Sequence, residues 1–168
     1  MKTRKIPTIL LLVAVAAFSS CAKEELDNEK PVIVLMAPEE DGAVLPGSGI
    51  HFEVTLSDNE ALASYKVNIH GAFDGHEHSA TTRATEDSVA FEKTWMESDF
   101  IVLGEEPIAG KRSVTIHHHL IEIPETVNGT PLKEGHYHFI VYCTDQAGQE
   151  SFFAREIEIS YATEEHQH

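Results

Sequence analysis

Positive charge is scarce in this chain: 12 Lys+Arg stand against 28 Asp+Glu, a formal net charge of −16 at pH 7. Nucleic acids and anionic membrane surfaces are held by positive patches, so this balance argues against both as direct partners. Cysteine is nearly absent too, with only Cys21 and Cys143 among 168 residues. A zinc site built from several cysteines is therefore disfavoured. Long hydrophobic runs are missing. The longest, Ile9 to Phe18, covers about ten residues, half of what a helix needs to cross a bilayer. Helical stripes are not evident anywhere, and the chain has a single tryptophan.

The short apolar run has a meaning of its own. It follows Lys2, Arg4 and Lys5 and ends in the small residues Ser19 and Ser20, the pattern of a secretory signal peptide. Phe18-Ser19-Ser20-Cys21 resembles the lipobox of bacterial lipoproteins, with Phe18 where leucine is usual. That resemblance implies removal of residues 1–20, acylation of Cys21 and anchoring to a membrane through the lipid. Ala22-Lys23-Glu24-Glu25 in turn resembles the signal that sends Bacteroidetes lipoproteins to the outer face of the outer membrane. An outer-membrane lipoprotein exposed at the cell surface is the expectation. Without residues 1–20, 9 Lys+Arg remain against 28 Asp+Glu, a net charge of about −19. Only Cys143 survives lipidation as a thiol, so no internal disulfide is expected. Residues 21–30 read as the acylated cysteine and a charged, flexible tether, 31–161 as one domain with a real core, and 162–168 as a polar tail.

The periodicity is that of strands. Val32-Ile33-Val34-Leu35 is a short apolar run closed by Pro38 and the acidic turn Glu39-Glu40-Asp41-Gly42. Ile50, Phe52, Val54 and Leu56 alternate with His51, Glu53 and Thr55. Tyr65, Val67 and Ile69 alternate with Lys66, Asn68 and His70. Val89 to Met96 and Ser113 to Ile123 read as further strands. Tyr137, Phe139, Val141 and Cys143 alternate with His136, His138, Ile140 and Tyr142. Phe152 to Tyr161 supplies a last strand, with Ile157 and Ile159 on one face. About seven short strands separated by turn signals indicate an all-β, antiparallel sandwich.

Gly135-His136-Tyr137-His138-Phe139-Ile140-Val141, followed by Thr144-Asp145-Gln146-Ala147-Gly148-Gln149, resembles the penultimate-strand signature of bacterial immunoglobulin-like and fibronectin-type domains. Gln149 stands where asparagine is usual. Asp58-Asn59-Glu60-Ala61-Leu62 fits the same type. More narrowly, His70-Gly71-Ala72-Phe73-Asp74-Gly75-His76-Glu77-His78 resembles a segment of a Bacteroidetes lipoprotein family catalogued as domain of unknown function 4625. The resemblance covers nearly the whole mature chain and implies an immunoglobulin-like sandwich, but no activity.

Histidine is what the chain has in excess. Eleven histidines is about three times an ordinary share. They fall in groups: His70, His76 and His78; His117, His118 and His119; His136 and His138; and His166 and His168 in the tail. In an immunoglobulin-like topology the Tyr65–His70 strand (C) pairs antiparallel with the His136–Cys143 strand (F), which sets His70 beside His136 and His138. Alternation turns all three outward. The segment after His70 can then bring His76 and His78 over the same face. Converging imidazoles repel when protonated and need partners when neutral; a divalent transition metal such as zinc, copper, nickel or iron resolves both. His70, His76, His78, His136 and His138 are thus the expected metal ligands, with Asp74 or Glu77 as an oxygen ligand or a support for a ring. Only two of His117–His119 can share a face, on a strand of the other sheet, and a polar strand surface is the plainer reading there. His51 reads as an outward strand residue, Cys143 as a small core residue. Asp87-Ser88-Val89 resembles a bacterial O-glycosylation triplet, and Asn128-Gly129 reads as a turn.

Three classes of function fit. One is a monomeric, non-enzymatic surface lipoprotein that captures or buffers a metal, with an outer-membrane transporter or surface ligand as partner. The second is an adhesion or glycan-binding accessory module. The third, a metalloenzyme, lacks any matched nucleophile, base and oxyanion donors in the sequence. A shallow histidine cluster favours the first, a row of exposed aromatic residues the second, and a pocket with an open metal position the third.

Overall fold

The computed structural model describes residues 27–73 and 88–162. Cys21, His76, His78, Asp74, Glu77 and the tail histidines lie outside the described residues, as does Asp87. The described chain forms β1 (Val32–Ala37), β2 (Gly42–Val44), β3 (Gly49–Ser57), β4 (Leu62–Gly71), β5 (Glu92–Met96), α1 (Glu97–Val102), β6 (Ser113–Glu122), β7 (Thr126–Val127), β8 (Thr130–Pro131), β9 (Gly135–Asp145) and β10 (Glu150–Ile159).

Period-two alternation decides how these strands stack. Ile50, Phe52, Val54 and Leu56 of β3 are buried, as are Tyr65, Val67 and Ile69 of β4 and Tyr137, Phe139, Val141 and Cys143 of β9. Each large side chain so buried contributes roughly 1.5–3 kcal/mol. One sheet has the order β1-β3-β6, the other β2-β10-β9-β4-β5, and β7-β8 is a small ribbon. Their apolar faces meet in one core, where the rings of Phe52 and Phe139 lie 5.8 Å apart. The protein is an all-β, immunoglobulin-like sandwich. β4 and β9 pair antiparallel with His70 opposite His138, as the alternation requires.

Three features depart from the sequence reading. The turn at Gly42 continues into β2, which runs parallel to β10, so the pairing is not wholly antiparallel. Within Val89–Met96 only Glu92–Met96 is a strand; Val89 makes an isolated bridge to Leu132. Residues 97–102 form α1, too short to show a helical stripe. Asp99 accepts a hydrogen bond from the Met96 N–H at its start. Phe100 of α1 is stacked on Tyr65 at 5.7 Å and closes one end of the core.

The Tyr137 hydroxyl donates to the Lys133 carbonyl at 2.7 Å and accepts from the Phe91 N–H at 3.3 Å, tying the start of β9 to its approach and to the β5 side. This matches the tyrosine corner of immunoglobulin-like sandwiches. Cys143 is fully buried, and desolvation, helped by the charges of Asp58, Asp145 and Glu97, pushes its thiol up to about 12. Among the described residues, no helix is long and apolar enough to cross a membrane.

Candidate metal centre

Histidines line the outer faces of both sheets. On the five-stranded sheet, β4 and β9 set His70 directly opposite His138. The rings meet edge-on, 5.2 Å between centroids, with His138 Nδ1 3.3 Å from His70 Nε2. Asn68 fixes the chemistry of this pair. Its amide nitrogen donates to Thr94 Oγ1 at 2.9 Å, which leaves Oδ1 to face His70 Nδ1 at 2.6 Å. An amide oxygen only accepts, so the proton sits on His70 Nδ1 and the Nε2 lone pair points at His138. An amide that holds one tautomer in this way prepares a ring to act as a ligand.

His136 does not join them. Its Nδ1 lies 2.8 Å from Glu156 Oε1 on β10, with Asp41 at the same spot. The reason is position. His70 approaches β9 from the β4 side, whereas His136 leans toward the acidic outer face of β10, where Glu158 is its register partner. Of the five expected ligands, the structure brings His70 and His138 together and gives His136 a carboxylate partner; His76 and His78 lie outside the described residues.

A second histidine group stands on the opposite sheet. His51 and Glu53 point outward from β3, and His117 and His119 point outward from β6. His51 Nε2 lies 2.9 Å from His117 Nε2 and 3.8 Å from Glu53 Oε2. The His119 ring stacks on His51 at 5.0 Å, 13° from parallel. One ligand atom each from His51, Glu53 and His117 fall within 4.8 Å of one another. Below them, Thr55 and Thr115 join hydroxyls at 3.0 Å and continue the same cross-strand ladder. The register explains the crowding. Glu53 opposes His117 and Phe52 opposes His118, but Ile50 opposes Ile121, so β6 carries one extra residue across from His51. Such a bulge returns Ile121 to the core while leaving His119 over His51.

His118 goes the other way. It is 6 % exposed and packs between Phe52 at 5.1 Å and Phe100 at 4.7 Å. The Leu120 N–H donates to His118 Nδ1 at 3.3 Å, so Nε2 carries the proton and is buried with no hydrogen-bond partner among the described residues. Burial lowers the His118 pKa, although Glu105 pulls it upward; the ring is neutral and belongs to the core. The alternation of His51-x-Glu53 and of His117-x-His119 signals two outward pairs. What sequence reasoning missed was that β3 and β6 are neighbours.

A family model described as a domain of unknown function (DUF4625) matches residues 19–160, most of the chain. The chain belongs to the DUF4625 family. No curated protein matches it.

In this DUF4625 domain the His51 group offers two or three imidazole nitrogens and one carboxylate oxygen. Two nitrogens bound to one tetrahedral zinc lie about 3.3 Å apart for bonds of roughly 2.0–2.1 Å. The 2.9 Å separation of His51 and His117 is within a small side-chain adjustment of that value. The group is shallow, with the His51 side chain 47 % exposed.

Proposed function

We propose that this domain is a non-enzymatic, lipid-anchored module of the cell surface that binds a divalent transition metal through outward histidines. The observation that carries the reading is the convergence of His51, His117 and Glu53, with His119 stacked alongside. Imidazole nitrogen with one carboxylate suits zinc, copper or nickel, and iron less specifically. A shallow position on a sheet face suits capture or buffering, because the ion stays accessible to a receiving protein such as an outer-membrane transporter. The oriented His70–His138 pair supports a second, weaker position on the other face, to which His76 and His78 are the expected further ligands. Cys21 is the proposed acylation site, and a monomer is the proposed state.

The test is metal content by mass spectrometry with titrations of Zn²⁺, Ni²⁺ and Cu²⁺, in a background where His166 and His168 are alanine. Tight binding that is lost in His51→Ala, His117→Ala supports the reading. Binding indifferent to those changes and to His70→Ala, His138→Ala sinks it.

One observation favours an adhesion or glycan-binding role as the second reading. Phe152 is 69 % exposed and packs beside Tyr142 at 6.0 Å, and Lys66 Nζ sits 4.4 Å above the Tyr142 ring. The exposed Phe152 ring beside the half-buried Tyr142 ring offers a stacking surface for sugars. Loss of polysaccharide binding in Tyr142→Ala, Phe152→Ala, with metal binding intact, would establish it.

A further inference from the structure

A different chemistry gathers where the chain enters the sandwich. Asp27 precedes β1, Asp58 directly follows β3, and Asp145 ends β9. One carboxylate oxygen from each falls within 4.8 Å of the other two. Asp27 and Glu29, expected in the tether, are in fact bound to the domain. Asp27 Oδ1 accepts from Asn59 Nδ2 at 3.0 Å, and Gln149 Nε2 donates to the carbonyls of Asp27 and Glu29 at 3.2 and 2.9 Å.

The hydrogen bonds account for only half of the two inner carboxylates. Asp58 Oδ1 accepts from the Glu60 and Ala61 N–H groups at 2.9 and 2.8 Å, and Asp145 Oδ1 accepts from the Gln149 N–H at 2.8 Å. Asp58 Oδ2 and Asp145 Oδ2 are buried and have no hydrogen-bond partner among the described residues. Asp145 as a whole is 1 % exposed. None of the ion pairs among the described residues involves these three aspartates. The nearby guanidinium of Arg112 donates to the Glu60 carbonyl. Three carboxylates so close together, one of them sealed from water, leave oxygen lone pairs unused.

We infer that Asp27, Asp58 and Asp145 form a Ca²⁺ site that fastens the entry of the chain to two loops of the sandwich. Every ligand atom is oxygen, which suits a hard cation and is unlike the histidine groups. Oxygens bound at 2.3–2.6 Å to one Ca²⁺ lie no further apart than about 5 Å, which accommodates the whole cluster. Mg²⁺ demands near-ideal octahedral geometry and gives up its waters reluctantly, so a partly buried set of protein carboxylates suits it less well. The ion takes three converging carboxylates as ligands and uses the two buried oxygens that no hydrogen bond among the described residues satisfies.

The experiment uses the purified protein stripped with EDTA, then titrated with CaCl₂ or MgCl₂ by calorimetry, with thermal unfolding read in parallel. One Ca²⁺ binds per chain, Mg²⁺ binds at least tenfold more weakly, and Tm rises by roughly 5–10 °C at a hundredfold excess of Ca²⁺ over Kd. Asp27→Asn, at a partly exposed position, weakens Ca²⁺ at least tenfold without lowering the Tm of the stripped protein. Asp145→Asn keeps the Gln149 hydrogen bond, loses Ca²⁺ and raises the Tm of the stripped protein, because one buried charge is gone. The His51→Ala, His117→Ala protein retains the Ca²⁺ response, which separates this site from the transition-metal reading. A Tm indifferent to Ca²⁺, or an equal rise in Asp27→Asn, overturns the inference, the second outcome meaning diffuse screening of an acidic surface.

Discussion

Removing one oxygen atom from Tyr137 should weaken the whole sandwich measurably. The ring is fully buried and Phe91 is 4 % exposed, so in Tyr137→Phe the Phe91 N–H loses its acceptor where water does not readily replace it. The Lys133 carbonyl loses a 2.7 Å donor at the same time. An unsatisfied buried polar group costs about 1–3 kcal/mol, and the carbonyl is only partly buried, so the total is about 2–3 kcal/mol. For a chain of this size that is a fall in Tm of roughly 5–10 °C. Urea unfolding followed by Trp95 fluorescence is the assay, since this sole tryptophan is 4 % exposed and reports on the core. Tyr161→Phe is the control. Its hydroxyl also bridges two backbone groups, Leu132 N–H and the Glu125 carbonyl, both at 2.9 Å, but the residue is 40 % exposed and the Glu125 side of the bridge is open to water. Only the Leu132 N–H is then left wanting, so that change should cost less than Tyr137→Phe, about 1 kcal/mol. A Tyr137→Phe protein within about 0.5 kcal/mol of the parent would refute the view that this hydroxyl anchors β9.

The histidines yield the remaining predictions. Transition-metal affinity should fall steeply between pH 7.5 and 5.5, because protons compete for the ligand nitrogens; titrations at the two pH values check it, and pH-independent binding would contradict histidine ligation. His119→Ala should weaken binding less than His117→Ala, by about tenfold or under against a hundredfold or more, since only His117 has a nitrogen already in contact with His51. The lowered pKa of His118 makes the fold sensitive to acid. The unfolded chain takes up a proton as pH drops below about 6.5 while the buried ring resists, so this stability is present above that pH and is lost as pH falls toward the folded value. Urea midpoints at pH 7.5 and 5.0 should therefore differ more in the parent than in His118→Met, and equal differences would argue against the buried ring as a cause.

The architecture was legible where one face of a strand is apolar and the other is not. β3, β4 and β9 announce themselves through Ile50–Leu56, Tyr65–Ile69 and Tyr137–Cys143, and the His70–His138 pairing follows from the C–F neighbourhood. The rest depends on registers that no local pattern carries. One extra residue in β6 decides that His119 lies over His51, and core space beside Phe52 and Phe100 decides that His118 turns inward. His136 was placed on the correct face, but the pull of Glu156 on the neighbouring strand was not visible in its own. α1 and β2 are too short for periodicity to declare them. Asp27 looked like tether because its partners, Asn59 and Gln149, are remote in sequence.

Cys143 gives the molecule an internal clock. Sealed in the core and held almost wholly as the unreactive thiol, it meets a modifying reagent only when the sheets part. Its labelling rate therefore counts openings of the sandwich. In the native fold its burial spares this thiol the oxidation that an exposed one invites.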